Sequence, residues 1–122
     1  MRGERVLVVD DEPQFLRALA TSLRAAGYDV STATTGEEAL ASVGLGPPDG
    51  IILDLVLPDT TGTEVCRELR TWSEVPVIVV SAWQTPADRD AASEAGADDF
   101  LPKPFELEEL TDAVSRLLER RR

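Results

Sequence analysis

Histidine is absent from the 122 residues of this chain, and cysteine occurs once, at position 66. Without an imidazole, the chain cannot supply a Ser-His-Asp triad, a zinc–histidine site or a histidine general base. The single Cys66 cannot form a disulfide within the chain, which fits a reducing compartment. The absences exclude several common kinds of enzyme site and make a cytoplasmic location the expectation.

Basic residues are also scarce, because 12 lysines and arginines face 23 aspartates and glutamates, giving a formal charge of −11. A surface this acidic repels a phosphate backbone, so we expect no direct nucleic-acid binding by this domain. No apolar run approaches the length of a membrane span, and no signal peptide is visible, so no membrane partner is expected. The length and the 43% hydrophobic content suit one domain over residues 1–122 with a real core.

Three short apolar runs, at residues 6–9, 51–53 and 77–80, are rich in β-branched side chains and too short for helices. Such runs are typical of strands buried on both faces of a parallel sheet. Two weaker candidates lie at residues 29–33 and 99–101, and the second runs into Pro102. Mixed polarity and an adjoining proline favour edge strands for both.

Helical patterns lie between the strands, and residues 44–50 after the second of them are predicted to form a turn-rich loop. The first begins at Pro13 and ends at Gly27, three more begin at the threonine caps Thr35, Thr61 and Thr85, and the fifth carries an apolar stripe of Leu107, Leu110, Val114 and Leu117. On the third helix, Val65, Leu69 and Trp72 mark the predicted inner face. The fourth offers only alanines inward (Ala87, Ala91, Ala92 and Ala95), so it should be held weakly.

The alternation βαβαβαβαβα predicts an α/β fold in which helices cover both faces of a parallel sheet. Placing the three apolar strands at the centre gives the strand order 2-1-3-4-5, a flavodoxin-like, doubly wound sheet with five helices.

Polar side chains follow four of the strands at the edge where such sheets bind ligands. Asp10 and Asp11 follow the first strand, Asp54 ends the third, Ser81 ends the fourth and Lys103 follows the fifth. Each alone has an ordinary explanation: Asp10 and Asp11 could cap a helix, and Ser81 and Lys103 could be simple surface groups. Their coincidence at one edge favours a site.

The three aspartates crowd like charges together, and a hard cation such as Mg²⁺ relieves that repulsion. A carboxylate beside Mg²⁺ can attack phosphorus and form an acyl phosphate, while a lysine stabilises the transferring group. Asp54 is therefore the predicted phosphoacceptor. Lys103 is the predicted cation, and the Ser81 hydroxyl is a hydrogen-bond donor to phosphate.

These residues resemble the response-regulator receiver domain (CheY-like) over almost the whole chain. Residues 96–105 (GADDFLPKPF) are similar to the form found in OmpR/PhoB-type winged-helix regulators. Residues 72–79 (WSEVPVIV) resemble the Kdp-type branch less specifically.

The resemblance implies that a sensor histidine kinase phosphorylates Asp54, with no turnover enzyme activity beyond the domain's own phosphorylation and dephosphorylation. It implies Mg²⁺ bound by Asp11, Asp54 and the Val56 carbonyl, with Asp10 reaching the ion through water. Ser81 and Phe100 would form a switch pair, and the Lys103–Pro104 bond would be cis.

The resemblance also implies an output such as transcription through the surface of the fourth helix, fifth strand and fifth helix, with a homodimer on phosphorylation. Arg89, Asp99 and Glu109 suit such a dimer, but Ala113 stands where an arginine is expected, and Arg116 or Arg120 could compensate. The chain could be the N-terminal part of a longer regulator or a stand-alone phosphorelay receiver.

Other interpretations remain open at this point. A phosphatase of the haloacid dehalogenase type also uses an aspartate nucleophile, but it needs an acid two residues later, where this chain has Val56. A degenerate receiver would bind partners without phosphate. Phe100 could serve packing alone. Trp83 could tune dephosphorylation, be simply exposed or lie in a partner contact, and Asp59 is expected to be solvated surface.

Overall fold

The computed structural model describes residues 3–82 and 85–119. The strands are β1 (Arg5–Val9), β2 (Asp29–Ala33), β3 (Gly50–Asp54), β4 (Val77–Ser81) and β5 (Asp99–Pro102). The helices are α1 (Pro13–Ala25), α2 (Gly36–Leu45), α3 (Gly62–Leu69), α4 (Pro86–Glu94) and α5 (Leu107–Glu119). The strands pair in parallel in the order β2-β1-β3-β4-β5. The predicted fold, strand order and edge strands are confirmed.

The apolar strands are central because both of their faces are covered. Ile51, Leu53 and Val79 pack into one core with residues of α2, α3 and α4. Ile52 and Ile78 point to the other side and pack with residues of α1 and α5. Successive strand residues face opposite ways, so an unbroken apolar run is what a sheet between two helical layers requires.

Capping residues start and stop the helices largely as predicted. The Thr85 hydroxyl accepts from the Asp88 amide and the Asp88 carboxylate accepts from the Thr85 amide, a complete capping box on α4. Gly27 ends α1 with a φ of 101°, a conformation that glycine adopts without strain. On α2, the reciprocal bond is displaced by one residue, because the Glu38 carboxylate accepts from the amide of Thr34.

Three predicted inner-face positions and one loop boundary were wrong. Trp72 is 49% exposed because α3 ends at Leu69, so the helical stripe does not continue to it. Leu107 is 43% exposed in the first turn of α5, and Ala87 is exposed in the first turn of α4. Gly44, predicted to open a loop, lies inside α2.

Helix α4 has a small buried face. Ala92 is its buried residue, and Ala95 is buried just after the helix ends. Methyl groups bury little apolar area, so α4 gains less from packing than the leucine-rich α1 and α5. The predicted weak attachment of α4 is consistent with this packing.

Arg70, at the end of α3, binds the turn that follows α4. Its guanidinium donates to the Gly96 carbonyl from Nε at 3.1 Å and from Nη2 at 2.9 Å. It also lies 3.1 Å from the Asp98 carboxylate, which accepts from the Val77 amide. One side chain thus joins α3 to the turn between α4 and β5.

Replacing Arg70 by methionine should lower the free energy of unfolding by about 2 kcal/mol, since several charge-assisted bonds are lost and the Gly96 carbonyl loses its donor. Arg67→Met is the matched control, because Arg67 forms an exposed pair with Glu64 on the same helix and should cost well under about 1 kcal/mol. Urea unfolding of both variants measures the difference. Equal losses would show that the partly buried network of Arg70 adds nothing.

Cys66 is buried inside α3. Burial raises the pKa of its thiol above the ordinary value. Because the thiolate is the reactive form, this environment keeps the Cys66 sulfur unreactive.

Candidate functional site

The sheet brings the predicted polar residues together at the carboxyl ends of the strands. Asp10, Asp54 and Ser81 are all buried, at 1%, 8% and 1% relative exposure. The Lys103 ammonium lies 3.2 Å from an Asp10 oxygen and 3.6 Å from an Asp54 oxygen. The Lys103 amide donates to the Ser81 carbonyl at 2.7 Å, which joins the ends of β5 and β4. One cation therefore stands between two buried carboxylates.

The position of Lys103 is supported by an aromatic contact that the sequence did not reveal. Its Nζ lies 4.1 Å from the centroid of the Phe15 ring. Phe15 in turn packs edge-on against Phe105, with centroids 5.9 Å apart. An ammonium over an aromatic face is electrostatically favourable. The Lys103–Pro104 peptide is cis, as the resemblance implied.

The pKa of Asp54 is raised from 3.8 to about 6. Burial is the main cause, because it penalises the charged carboxylate, and the neighbouring Asp10 carboxylate adds repulsion. Lys103 and a hydrogen bond from the Val56 amide oppose the rise. Asp54 is therefore a carboxylate whose negative charge the surrounding residues only partly balance.

The acidic cluster fits a hard divalent cation. One carboxylate oxygen each from Asp10, Asp11 and Asp54 lies within 4.8 Å of the other two. Asp11 is exposed, so the cluster opens to solvent on one side. Mg²⁺ prefers one or two carboxylates together with carbonyl oxygen and water, and a positive charge here would relieve the repulsion that raises the Asp54 pKa.

The loop after β3 is folded tightly around the end of that strand. The Gly62 amide donates to the Leu55 carbonyl at 2.7 Å, and Val56 forms an antiparallel bridge with Thr61. A Cβ on Gly62 would lie 2.5 Å from the Asp54 carbonyl oxygen, so only glycine allows this approach. Val56 is 55% exposed, and no acid occupies the position that a haloacid dehalogenase-type enzyme requires.

Asp59 is exposed, as predicted, but its carboxylate is also bound by the backbone of another element. Its two carboxylate oxygens accept hydrogen bonds from the amides of Gly36 and Glu37, at 2.8 and 3.0 Å. These bonds lower the pKa of Asp59. The partners are 23 and 22 residues away in sequence, so no local pattern around position 59 could have pointed to them.

The predicted switch pair spans β4 and β5. Phe100 is half-buried, and the guanidinium carbon of Arg89 on α4 lies 5.6 Å from its ring centroid. Arg89, Ala92, Ala97 and Phe100 line part of a cavity of about 160 Å³ between α4 and β5. Ser81 lies at the end of the neighbouring strand. Trp83, for which a role in dephosphorylation was considered, falls outside the described residues.

Ala113 is a core residue at 2% exposure. It belongs to the apolar core that α5 forms with α1 and the sheet. Arg116 is exposed and lines a surface cleft with Asp98, Asp99 and Glu119. Arg120, the other residue that could compensate for the missing arginine at position 113, lies outside the described residues.

No helix within residues 3–82 and 85–119 has the length and apolar character needed to cross a membrane.

Sequence and structural comparisons agree with the geometry. Residues 6–115 match the family model of the response regulator receiver domain. The transcriptional regulatory protein KdpE of Mycobacterium tuberculosis is 52% identical over 104 residues, covering 85% of this chain and 46% of that protein. The response regulator MprA of Mycolicibacterium vanbaalenii is 44% identical over 117 residues, covering 95% of this chain and 51% of that protein. The chain spans about half the length of these curated relatives.

Solved structures resemble the whole fold. A putative response regulator from Chloroflexus aurantiacus superposes with a TM-score of 0.91 at 36% identity, covering 97% of this chain and 99% of that one. The receiver domain of the Francisella response regulator 1452 gives a TM-score of 0.93 at 30% identity, with coverage of 98% and 100%. The chain belongs to the response-regulator receiver domain family.

Proposed function

We propose that Asp54 is the phosphoacceptor of this receiver domain and that a sensor histidine kinase is the donor. The observation that carries the proposal is the Lys103 ammonium between the buried carboxylates of Asp10 and Asp54, at 3.2 and 3.6 Å. A buried anion with a pKa near 6 is still ionised at neutral pH and so remains a nucleophile. The exposed side of the cluster at Asp11 leaves a path for the donor.

In the proposed transfer, an Asp54 carboxylate oxygen attacks the phosphorus of a phosphohistidine on the kinase. The phosphorus–nitrogen bond breaks, the imidazole leaves and an acyl phosphate forms. The Lys103 ammonium stabilises the negative oxygens of the transferring group, and the Ser81 hydroxyl donates to one of them. The domain promotes only its own phosphorylation and dephosphorylation in this scheme, so it is a switch rather than a turnover enzyme.

The cofactor in this proposal is Mg²⁺, held by Asp11, Asp54 and the Val56 carbonyl, with Asp10 bound through water. Bound there, it would supply positive charge to balance the aspartates and the incoming phosphoryl oxygens. The close grouping of the three carboxylates supports this donor set.

The switch in this proposal is the pair Ser81 and Phe100, coupled through α4. A phosphoryl group shifts a two-state equilibrium only by its different contacts with the two states. Movement of Ser81 toward the phosphate would open space beside β4 for the half-buried Phe100 ring. The small buried face of α4 makes this helix the element that moves most easily.

The proposed output surface comprises α4, β5 and α5, used by a longer regulator to control an output such as transcription. KdpE is a transcriptional regulatory protein about twice as long as the matched segment. A homodimer formed on phosphorylation would use Arg89, Asp99 and Glu109, with Arg116 in place of the buried position 113. The net charge of −11 supports assigning DNA contact to another part of such a regulator.

Intact-mass measurement after incubation with acetyl phosphate tests the proposal. With Mg²⁺ present, we expect one phosphoryl adduct per chain, and with EDTA added beforehand we expect none, because Lys103 alone only partly balances the acidic cluster. Circular dichroism on the same samples verifies folding. A well-folded protein that gains no adduct in Mg²⁺ would contradict the phosphoacceptor assignment and favour the degenerate receiver.

A further inference from the structure

We propose that Asp59 is a positioning residue for metal binding: it fastens the loop between β3 and α3 to the N-terminus of α2 and so holds the Val56 carbonyl in place. The inference rests on the proposed function, because it assumes that Val56 contributes a ligand to Mg²⁺. It concerns a residue that touches neither the cation nor the phosphoryl group.

Residues 55–62 form a short hairpin-like loop after the phosphoacceptor position. Its base is closed by the bond from the Gly62 amide to the Leu55 carbonyl, and Val56 and Thr61 then face each other as an antiparallel bridge pair. The Leu57 amide donates to the Thr60 carbonyl at 3.2 Å, which leaves Pro58 and Asp59 at the tip. Any tilt of the tip therefore moves Val56, because Val56 belongs to the same small hydrogen-bonded unit.

The tip is attached to a different element, the first turn of α2. The Asp59 carboxylate bridges the amides of Gly36 and Glu37, which have no partner inside the helix. The N-terminus of α2 also favours an anion, because the dipoles of its amides point toward the Asp59 carboxylate. A Cβ on Gly36 would lie 2.4 Å from the Thr60 methyl group, so the loop and the helix are in close contact here.

The Val56 carbonyl needs such support from another element because Val56 itself has little packing. Its side chain is 55% exposed, whereas the neighbouring Leu55 and Leu57 are buried at 9% and 7%. A backbone carbonyl can bind Mg²⁺ only within a narrow distance and angle, since this ion demands near-octahedral geometry. Residues that orient a metal ligand without touching the metal commonly have a large effect on metal affinity.

The chain offers a matched control on the same helix end. The Thr35 hydroxyl accepts from the Glu38 amide at 3.0 Å, so Thr35 also caps α2 but lies outside the loop of residues 55–62. Thr35→Ala and Asp59→Ala each remove a cap from one helix terminus. Only Asp59→Ala also releases the loop.

The test is calorimetric titration with Mg²⁺ alone, on the wild type, Asp59→Ala, Asp59→Asn and Thr35→Ala. We expect Asp59→Ala to raise the Mg²⁺ dissociation constant about tenfold. Thr35→Ala should stay close to the wild-type value. Asp59→Asn should lie between them, because its amide oxygen can still accept from one of the two backbone amides.

A second readout separates positioning from catalysis. The rate of labelling by acetyl phosphate should reach the same plateau in Asp59→Ala and the wild type, but the Mg²⁺ concentration for half-maximal rate should rise about tenfold. A lower plateau with an unchanged midpoint would overturn the inference. Equal midpoints in Asp59→Ala and the wild type would overturn it as well.

Two further outcomes are distinguishable. If Thr35→Ala weakens Mg²⁺ binding as much as Asp59→Ala, the effect is one of helix stability and the inference fails. If the wild type itself binds no Mg²⁺ and gains no phosphoryl group, the proposed function fails first. Amide hydrogen exchange at Gly36 and Glu37 supports the inference if it rises in Asp59→Ala, and contradicts it if it is unchanged.

Discussion

Replacing Asp54 by asparagine is expected to abolish the phosphoryl adduct and at the same time to stabilise the fold by about 1–2 kcal/mol at pH 7.5 without divalent metal. The loss of labelling follows from the loss of the carboxylate nucleophile. The gain in stability follows from the raised pKa, because an ionised Asp54 is buried and repelled by Asp10. Function and stability should therefore change in opposite directions at one residue.

The pH dependence of this gain has a definite sign. The Asp54 pKa is about 6 in the folded state against 3.8 for an ordinary aspartate, so folding favours the protonated form. The free-energy cost of keeping Asp54 ionised in the folded state is nearly complete above about pH 6. This cost disappears as the pH falls toward about 4, because the folded chain then takes up a proton. The stability advantage of Asp54→Asn should fall by roughly half between pH 7.5 and pH 5.

Urea unfolding of both proteins in EDTA at several pH values measures this difference. Asp112→Asn is the control, because Asp112 is exposed on α5 and plays no part in the proposed site. That variant should keep both the adduct and the wild-type stability. An Asp54→Asn protein less stable than the wild type at pH 7.5 would mean that Lys103 attraction outweighs burial and repulsion.

Gly62→Ala is expected to destabilise the fold by about 3 kcal/mol. The added Cβ would lie 2.5 Å from the Asp54 carbonyl oxygen and 3.1 Å from the Leu55 Cα, and both are backbone atoms that cannot rotate away. Relief requires α3 to move off the end of β3. The same movement should displace Asp54, so labelling by acetyl phosphate should also slow.

Gly44→Ala provides the opposite result on a neighbouring helix. Gly44 lies inside α2, and a Cβ there would meet nothing within 4 Å. Alanine loses less conformational entropy than glycine in a helix, so this variant should gain about 0.5 kcal/mol. Thermal unfolding of the pair measures the contrast, and two variants of equal stability would show that α3 can shift without cost.

The sequence predicted those features that depend on short stretches of chain. The apolar runs at residues 51–53 and 77–80 identified central strands because burial on both faces leaves no polar positions. Threonines such as Thr85 identified helix starts because a cap and its partner are three residues apart. The grouping of the candidate site residues Asp10, Asp54, Ser81 and Lys103 at one edge of the sheet was predicted because each ends or follows a strand.

The features that the sequence missed join distant segments. Asp59 reaches α2, and Arg70 reaches the turn before β5, across 23 and 26 residues. Asp59 was expected to be solvated surface and Arg70 was not singled out, because their partners are chiefly backbone groups, which have no signature in the sequence. Trp72 was misplaced for a related reason, since the end of α3 at Leu69 carries no glycine or proline to mark it.

The buried state of Cys66 has a practical consequence for observing the switch. The chain has one cysteine, and burial with a raised thiol pKa should leave it untouched by maleimides under native conditions. A fluorophore or spin label could then be attached to a single cysteine introduced on the exposed face of α4, at Asp90 for instance, without first removing the native thiol. The movement proposed for α4 could be followed in an otherwise unaltered core.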